Sequence, residues 1–141
     1  MKIVLFICLS FVSLNLSAEN WFKAGVNARG DMFYIDIDNI ENENEIVYYW
    51  NLIDFTQPTS MQARSHISKY KGDCVENKQT WLSYQYYSQH MGKGKRVTES
   101  LPVWNHYGST LNEIRSLTVG SVEYDAMKTA CGTVGKYKNL R

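Results

Sequence analysis

Apolar and polar residues alternate along much of the chain with the two-residue period of β-strands. Phe33, Ile35 and Ile37 alternate with polar neighbours, which predicts a half-buried strand. Between residues 46 and 55 both sets of alternating positions are apolar or aromatic, which indicates a central strand. The polar connector 39–45 between them is short, so we expect the two strands to pair as an antiparallel hairpin.

Further extended segments are predicted on either side of this hairpin. They are residues 21–26, about 62–70, 78–88 and 95–103. Gly92-Lys93-Gly94 separates the last two and predicts a tight turn, because glycine adopts positive φ at little cost. Residues 105–117 are ambiguous, since Leu111, Ile114 and Leu117 recur at helical spacing but an irregular loop also fits.

One helix is predicted near the carboxyl end of the chain. Ser121 suits the N-cap, Glu123 and Asp125 suit the first turn, and Gly132 is expected to end the helix. Its apolar stripe consists of Val122, Ala126, Met127, Ala130 and Cys131. Such a stripe packs on a sheet. The predicted fold class is therefore α+β, with an antiparallel β-sheet of five to six strands and one packed C-terminal α-helix.

The first eighteen residues have the pattern of a secretory signal peptide. Lys2 gives a basic start, residues 3–14 are apolar, and Ala18 precedes the expected cleavage site. Cleavage there leaves 19–141 as a single domain without a transmembrane segment. A lipoprotein site at Cys8 is the alternative, but bulky residues precede this cysteine where that signal needs a small one.

Composition and charge narrow the class of function. The chain has 141 residues and a formal net charge of +1, which disappears when Lys2 is removed with the signal. No overall field therefore attracts nucleic acid or anionic lipid. A large catalytic α/β domain is excluded by size. The 10 Tyr and 4 Trp are plentiful for this length and suit half-buried sheet faces and contact surfaces.

Two cysteines, Cys74 and Cys131, remain after removal of the signal. An even pair in an exported chain most simply forms one disulfide. A catalytic or metal-binding role needs partners that the sequence does not supply, since it has no CxxC motif and no histidine at ligand spacing.

An ordered set of motifs resembles one known family. The motifs are Trp21, Tyr34-Ile35-Asp36-Ile37-Asp38, Val47-Tyr48-Tyr49-Trp50, Asp54-Phe55, Asp73-Cys74, Tyr86-Tyr87-Ser88, Met91-Gly92-Lys93-Gly94, Trp104, Gly120-Ser121 and Cys131. In this order they resemble the surface-adhesin protein E family of exported bacterial domains. The 105–119 stretch is longer than the usual short link of that family.

The resemblance implies an antiparallel sheet packed on an α-helix and a disulfide matching Cys74 and Cys131. It also implies a Gram-negative envelope protein, in the periplasm or at the outer-membrane surface, that binds host extracellular-matrix or serum proteins such as vitronectin and laminin. Many relatives carry only the fold. A periplasmic structural or accessory protein without a host ligand, such as a homodimer joined through an uncovered strand edge, is therefore an alternative.

The three histidines, His66, His90 and His106, are well separated and lack HxH, HxxxH and HExxH spacing. They would bind a metal or a haem only if the fold brought them together, so a haem or small-ligand carrier is a further alternative. Structural roles are the simpler expectation. No set of nucleophile, base and orienting residue emerges, which indicates a protein that is not an enzyme and needs no cofactor.

Several acidic residues lie in and after the first predicted hairpin strand. They are Asp36, Asp38, Glu41, Glu43 and Glu45. Carboxylates on a turn can hold Ca²⁺, but this run lacks the glycine and the regular ligand spacing of a calcium loop. We expect these carboxylates to face water and predict no metal site.

The candidate binding residues lie around the Gly92–Gly94 turn. The basic group, called the basic tip below, consists of Lys93, Lys95 and Arg96. The aromatic group consists of Tyr86, Tyr87 and Trp104. Together they suit an acidic or sulfated partner, whereas the alternative is a turn that simply faces water. The main hypothesis is a binding module that recognises a host or envelope protein through an aromatic sheet face and this tip.

Overall fold

The structure is a computed structural model that describes residues 19–98 and 111–134. Within these ranges, eight strands form one antiparallel sheet and are followed by one α-helix. The strands are β1 (Trp21–Val26), β2 (Met32–Asp36), β3 (Glu41–Glu43), β4 (Ile46–Asp54), β5 (Ser65–Asp73), β6 (Lys78–Tyr87), β7 (Arg96–Val97) and β8 (Ile114–Ser116). A 3₁₀ turn spans His90–Gly92, and helix α1 spans Val122–Thr133. The predicted signal peptide 1–18, Trp104 and His106 lie outside the described residues.

Strand β4 lies at the centre of the sheet, as predicted. The strand order is β1-β2-β4-β5-β6-β7, with β3 also pairing with β4 and β8 with β6. The predicted antiparallel hairpin is confirmed, since β2 pairs with β4 and Phe33 lies opposite Ile53. Val47, Tyr49 and Leu52 of β4 are fully buried, because neighbouring strands and packed elements surround them.

The sheet has more strands than the five to six predicted. β3 forms inside the polar connector, because Asn44 adopts a positive φ of 54° and turns the chain back onto β4. β8 forms in the segment that was ambiguous between a helical turn and a loop, where residues 114–116 pair with residues 78–80 of β6. Three-residue strands have too short a pattern to be recognised in the sequence.

Two predicted strand boundaries are corrected. β5 begins at Ser65 rather than near residue 62, because Gln62 has a positive φ of 66° and the amide of Ala63 donates a hydrogen bond to Thr59 Oγ1 at 3.0 Å. β7 begins at Arg96 and is described only to Val97. The predicted continuation of this strand to residue 103 lies partly outside the described residues.

Helix α1 covers one face of the sheet, called the covered face below. Its buried residues are Ala126, Met127, Ala130, Cys131 and Gly132. The sheet side of this core consists of Ile35, Val47, Tyr49, Tyr70 and Trp81. A Cβ on Gly72 would lie 2.9 Å from Met127 Cγ, so the missing side chain lets the helix approach β5 closely.

The predicted helix start is confirmed, and the predicted end at Cys131 is corrected by two residues. Ser121 is the N-cap and its hydroxyl accepts a hydrogen bond from the amide of Tyr124 at 3.2 Å. Gly132 does not end the helix, because it does not adopt the positive φ of a glycine cap and is buried in the last turn. The helix ends at Thr133 instead.

The predicted disulfide joins α1 to the end of β5. Cys74 and Cys131 are bonded with their Cα atoms 5.9 Å apart, and both are buried. Lys128 Nζ donates a hydrogen bond of 2.7 Å to the carbonyl of Cys74 beside it. Burial lowers the pKa of Lys128, although the nearby Asp73 carboxylate acts in the opposite direction. The helix is therefore held to the sheet both covalently and by a hydrogen bond.

Replacing both Cys74 and Cys131 by Ser is expected to lower the free energy of unfolding by about 2–5 kcal/mol. The bond closes a loop across a sequence separation of 57 residues, so its loss restores much conformational freedom to the unfolded chain. Urea unfolding of the wild type and of the double variant measures this difference. An unchanged unfolding midpoint would show that packing alone holds α1 in place.

Stability is also expected to fall as the pH rises above about 10, the ordinary pKa of tyrosine. Burial raises the pKa of Tyr49 and of Tyr70 well above that value, and their rings stack 5.8 Å apart. Above pH 10 the unfolded chain loses these protons while the folded chain keeps them, so unfolding becomes more favourable by up to about 1.4 kcal/mol per pH unit for each tyrosine.

Urea unfolding between pH 9 and pH 11 tests this expectation. Tyr49→Phe should make the loss of stability with pH less steep, whereas Tyr34→Phe, at a half-buried position on the opposite face, should not. Equal slopes for the wild type and Tyr49→Phe would contradict the assignment of alkaline sensitivity to the buried tyrosines.

Candidate functional site

The face of the sheet opposite α1, called the open face below, carries large side chains that are only half-buried by the described residues. Successive side chains of a strand point to opposite faces, so the alternation in β4 places Tyr48 and Trp50 here and Val47 and Tyr49 under the helix. The open-face residues are Trp21, Tyr34, Tyr48, Trp50, Ile67 and Tyr87. This arrangement leaves a broad aromatic surface in contact with water.

Cross-strand pairing sets the neighbours of these aromatic residues. Tyr34 lies opposite Leu52, which lies opposite Ile67 on β5. Trp50 lies opposite Lys69, whose Nζ is 5.5 Å from the centre of a Trp50 ring. An ammonium group over an indole face is a favourable cation–π contact. The open face therefore combines aromatic rings with at least one cation already placed against them.

The 3₁₀ turn packs onto one end of the open face. Asp54 Oδ1 accepts hydrogen bonds from the amide of Met91 at 2.9 Å and from His90 Nδ1 at 3.1 Å. Gly92 has a positive φ of 70°, and a Cβ at this position would lie 2.6 Å from Ile67 Cδ1. The predicted tight turn at Gly92–Gly94 is thus a 3₁₀ turn followed by a loop, because Asp54 fixes its start and Gly92 fits against Ile67.

The basic tip lies next to this turn. Lys93, Lys95 and Arg96 are all exposed. The amide of Lys95 donates a hydrogen bond of 2.9 Å to Ser88 Oγ, which closes the loop. Arg96 on β7 lies directly opposite Tyr87 on β6, so the structure brings the tip together with a predicted aromatic residue of the open face.

Tyr86 corrects the sequence prediction, because it does not lie on the open face. It is only 1% exposed and packs on the covered face with Phe33, Phe55 and His66. The cause is a β-bulge in β6: Trp81 pairs with Tyr70 and Ser83 with Lys69, so Leu82 is an extra residue. The bulge places Trp81, Tyr84 and Tyr86 on one face. Trp104, the third predicted aromatic contact, lies outside the described residues.

The two described histidines lie on opposite sides of the sheet. His66 is buried on the covered face, and its Nε2 lies 2.9 Å from Ser68 Oγ. His90 is in the 3₁₀ turn on the open face and contacts Asp54. They do not converge on a common ligand, and in residues 19–98 and 111–134 no group of three His, Cys, Asp or Glu residues could hold a metal ion.

The acidic residues divide into one structural carboxylate and several exposed ones. Asp36 was expected to face water, but it is 2% exposed, because it accepts hydrogen bonds that shape the connector after β2. The donors are the amides of Asn20 and Asp38 and the side-chain nitrogen of Asn39, at 3.2, 3.3 and 2.7 Å. The other acids of the run, Asp38, Glu41, Glu43 and Glu45, are exposed as expected.

Sequence reasoning missed Trp50, Tyr48 and Tyr34 as site residues. Their alternation with buried residues was visible, but both alternating sets of β4 are apolar or aromatic. Only the position of α1 determines which set remains accessible. The single sequence signal was the excess of Tyr and Trp, which indicates a contact surface without locating it.

The fold and its surface define a class: a small sheet-and-helix domain with one face covered and the other free for contact. Within this class, the chain belongs to the surface-adhesin protein E family, whose model matches residues 21–132. In the part of the chain that the structure describes, no helix is long and apolar enough to cross a membrane.

Solved structures with a similar fold include protein E of Haemophilus influenzae. The chain is similar to protein E of that organism, with a TM-score of 0.63 and 20% identity over 82% of this chain and 86% of that one. A second crystal form of that protein gives a TM-score of 0.59 and 20% identity over 82% of this chain and 89% of that one. Protein E from non-typeable Haemophilus influenzae gives a TM-score of 0.55 and 16% identity over 85% of this chain and 90% of that one. At these identities the likeness shows a shared fold. No curated protein sequence matches the chain.

Proposed function

We propose that this chain is an exported bacterial adhesin domain that recognises a host protein through its open face and basic tip. The observation that carries the proposal is the open face itself, where Trp50, Tyr48 and Tyr34 stay partly exposed opposite the helix. A monomeric protein rarely leaves large aromatic side chains together in water unless they contact something.

The composition of this surface suits protein recognition. Tyr, Trp and Arg are enriched at the centres of protein interfaces, and truncating them is what most often weakens binding. The pair of Tyr87 and Arg96 joins the aromatic surface to the basic tip. The lysines of the tip then add attraction at a distance for an acidic or sulfated partner.

Family membership supports the nature of the partner. A surface-adhesin family favours host extracellular-matrix or serum proteins, and we propose vitronectin and laminin as the first to test. The signal-like pattern of residues 1–18 and the disulfide support export through an oxidising compartment. We therefore propose cleavage after Ala18 and display of the single domain 19–141 at the outer-membrane surface.

A binding role is also favoured over the haem-carrier alternative. His66 is buried in the covered core, whereas His90 lies on the open face and is hydrogen-bonded to Asp54, so these two histidines do not ligate a common haem. The open face, in contrast, is accessible and broad. A contact surface of this kind supports recognition rather than catalysis, and we propose that the chain is not an enzyme.

Replacing Tyr48 and Trp50 together by Ala is expected to weaken binding to immobilised vitronectin or laminin by about tenfold or more, since hot-spot aromatics each cost over about 1 kcal/mol on truncation. Surface plasmon resonance measures the dissociation constant. The matched control replaces Phe22 and Val75, which are 51% and 59% exposed and lie outside the open face, and should leave binding unchanged.

A second variant separates the tip from the face. Replacing Lys93, Lys95 and Arg96 by Ala should slow association and reduce its dependence on salt, because exposed charges act mainly on the encounter rate. Unchanged binding by the Tyr48/Trp50 variant would contradict the proposal. Absence of binding to any host protein would favour the periplasmic accessory role.

A further inference from the structure

The open face also carries acidic side chains, whose carboxylates the proposed function does not use. They line a groove of about 530 Å³ that crosses the open face from β1 and the connector after β2 to Tyr87 on β6. Its aromatic and apolar walls include Trp21, Trp50, Ile67 and Tyr87, and Tyr87 also lies opposite Arg96 of the basic tip. Four carboxylates also line it, from Glu19, Asp36, Asp38 and Glu41. None of the described residues that line it is Lys, Arg or His.

The carboxylates are held against the aromatic walls by local structure. Glu19 Oε2 accepts a hydrogen bond of 3.2 Å from Trp21 Nε1, so this carboxylate lies at the edge of an indole ring. Asp36 is buried and fixes the backbone of Asp38 through its Oδ1 at 3.3 Å. The connector that carries the remaining acids therefore has a defined position relative to the sheet.

The charges of this groove are not neutralised within the described part of the chain. Glu19, Asp38 and Glu41 are exposed and form no ion pair with a described Lys or Arg side chain. Lys69 lies over a Trp50 ring at 5.5 Å but does not line the groove. Its contact shows that this indole accepts a cation.

We propose that the groove binds a cationic side chain, arginine or lysine, from a basic segment of the partner protein. This rests on the proposed function and adds the chemistry of the partner. An indole face attracts a cation, and carboxylates supply charge-assisted hydrogen bonds, so two kinds of interaction favour the same guest. A groove of this size holds a small ligand. A metal ion is a poor guest, because in the described residues no three acidic groups come close enough to hold one.

The groove and the basic tip, which meet at Tyr87, then attract groups of opposite charge. The basic tip at Lys93, Lys95 and Arg96 attracts acidic groups, whereas the groove attracts a basic one. A partner that carries both charges in the matching order binds in one orientation and excludes the reverse one. The open face is therefore selective as well as adhesive.

Titration of ¹⁵N-labelled protein with the peptide acetyl-triarginine amide tests the groove directly. The indole N–H signals of Trp21 and Trp50 should shift with a common dissociation constant, while the buried Trp81 signal stays in place. Acetyl-triglutamate amide should produce no shift. Replacing Asp38 by Asn and Glu41 by Gln should raise the dissociation constant of the arginine peptide about five- to tenfold, as loss of two partly exposed ion pairs predicts.

The matched control is Glu76→Gln with Asp125→Asn, which removes the same charge at exposed positions outside the groove. It should bind the arginine peptide as the wild type does. Equal weakening in both pairs of variants, or unmoved Trp21 and Trp50 signals, would overturn the proposal. The peptide titration does not use the host protein, so the two proposals are tested separately. If the arginine peptide does not bind, the vitronectin and laminin measurements still test the proposed function. If vitronectin and laminin do not bind, the peptide titration still tests the groove.

Discussion

A single twelve-residue helix, about 18 Å long, is the constraint on which the rest of the molecule depends. An antiparallel sheet needs at least one face buried, and in the described chain α1 is the only helix available to bury it. The disulfide between Cys74 and Cys131 and the bond from Lys128 to the Cys74 carbonyl fix α1 on that face. On the opposite face, the 3₁₀ turn packs over one end only, and the remaining aromatic side chains stay partly exposed.

The open face follows from this one-sided burial. The aromatic residues of the open face are not an incompletely packed part of the hydrophobic core. That core lies on the covered face, which contains the large buried side chains Tyr49, Tyr86 and Phe33. The same strands supply both surfaces by alternation, so a substitution that moved α1 would change the core and the contact surface together. The core and the open face are thus coupled through the register of β4 and its neighbours.

Much of this fold could be predicted from local sequence, because strand alternation, the Ser121 cap and the cysteine pair are local or countable signals. The residues of the open face could not be predicted in this way. The bulge at Leu82, which buries Tyr86 and leaves Tyr87 exposed to the open face, depends on pairing with β5. Whether Tyr48 or Tyr49 is accessible depends on which face of the sheet the distant helix packs against. The sequence of β4 alone does not indicate that face.

Hydroxyl-radical footprinting of the folded protein, read residue by residue by mass spectrometry, tests the one-sided burial most directly. Adjacent tyrosines on opposite faces provide internal controls. Tyr48 and Tyr87 should be oxidised much faster than their neighbours Tyr49 and Tyr86, which the covered core protects. Equal protection within each pair would show that the open face is covered as well, and would contradict its proposed role as the contact surface.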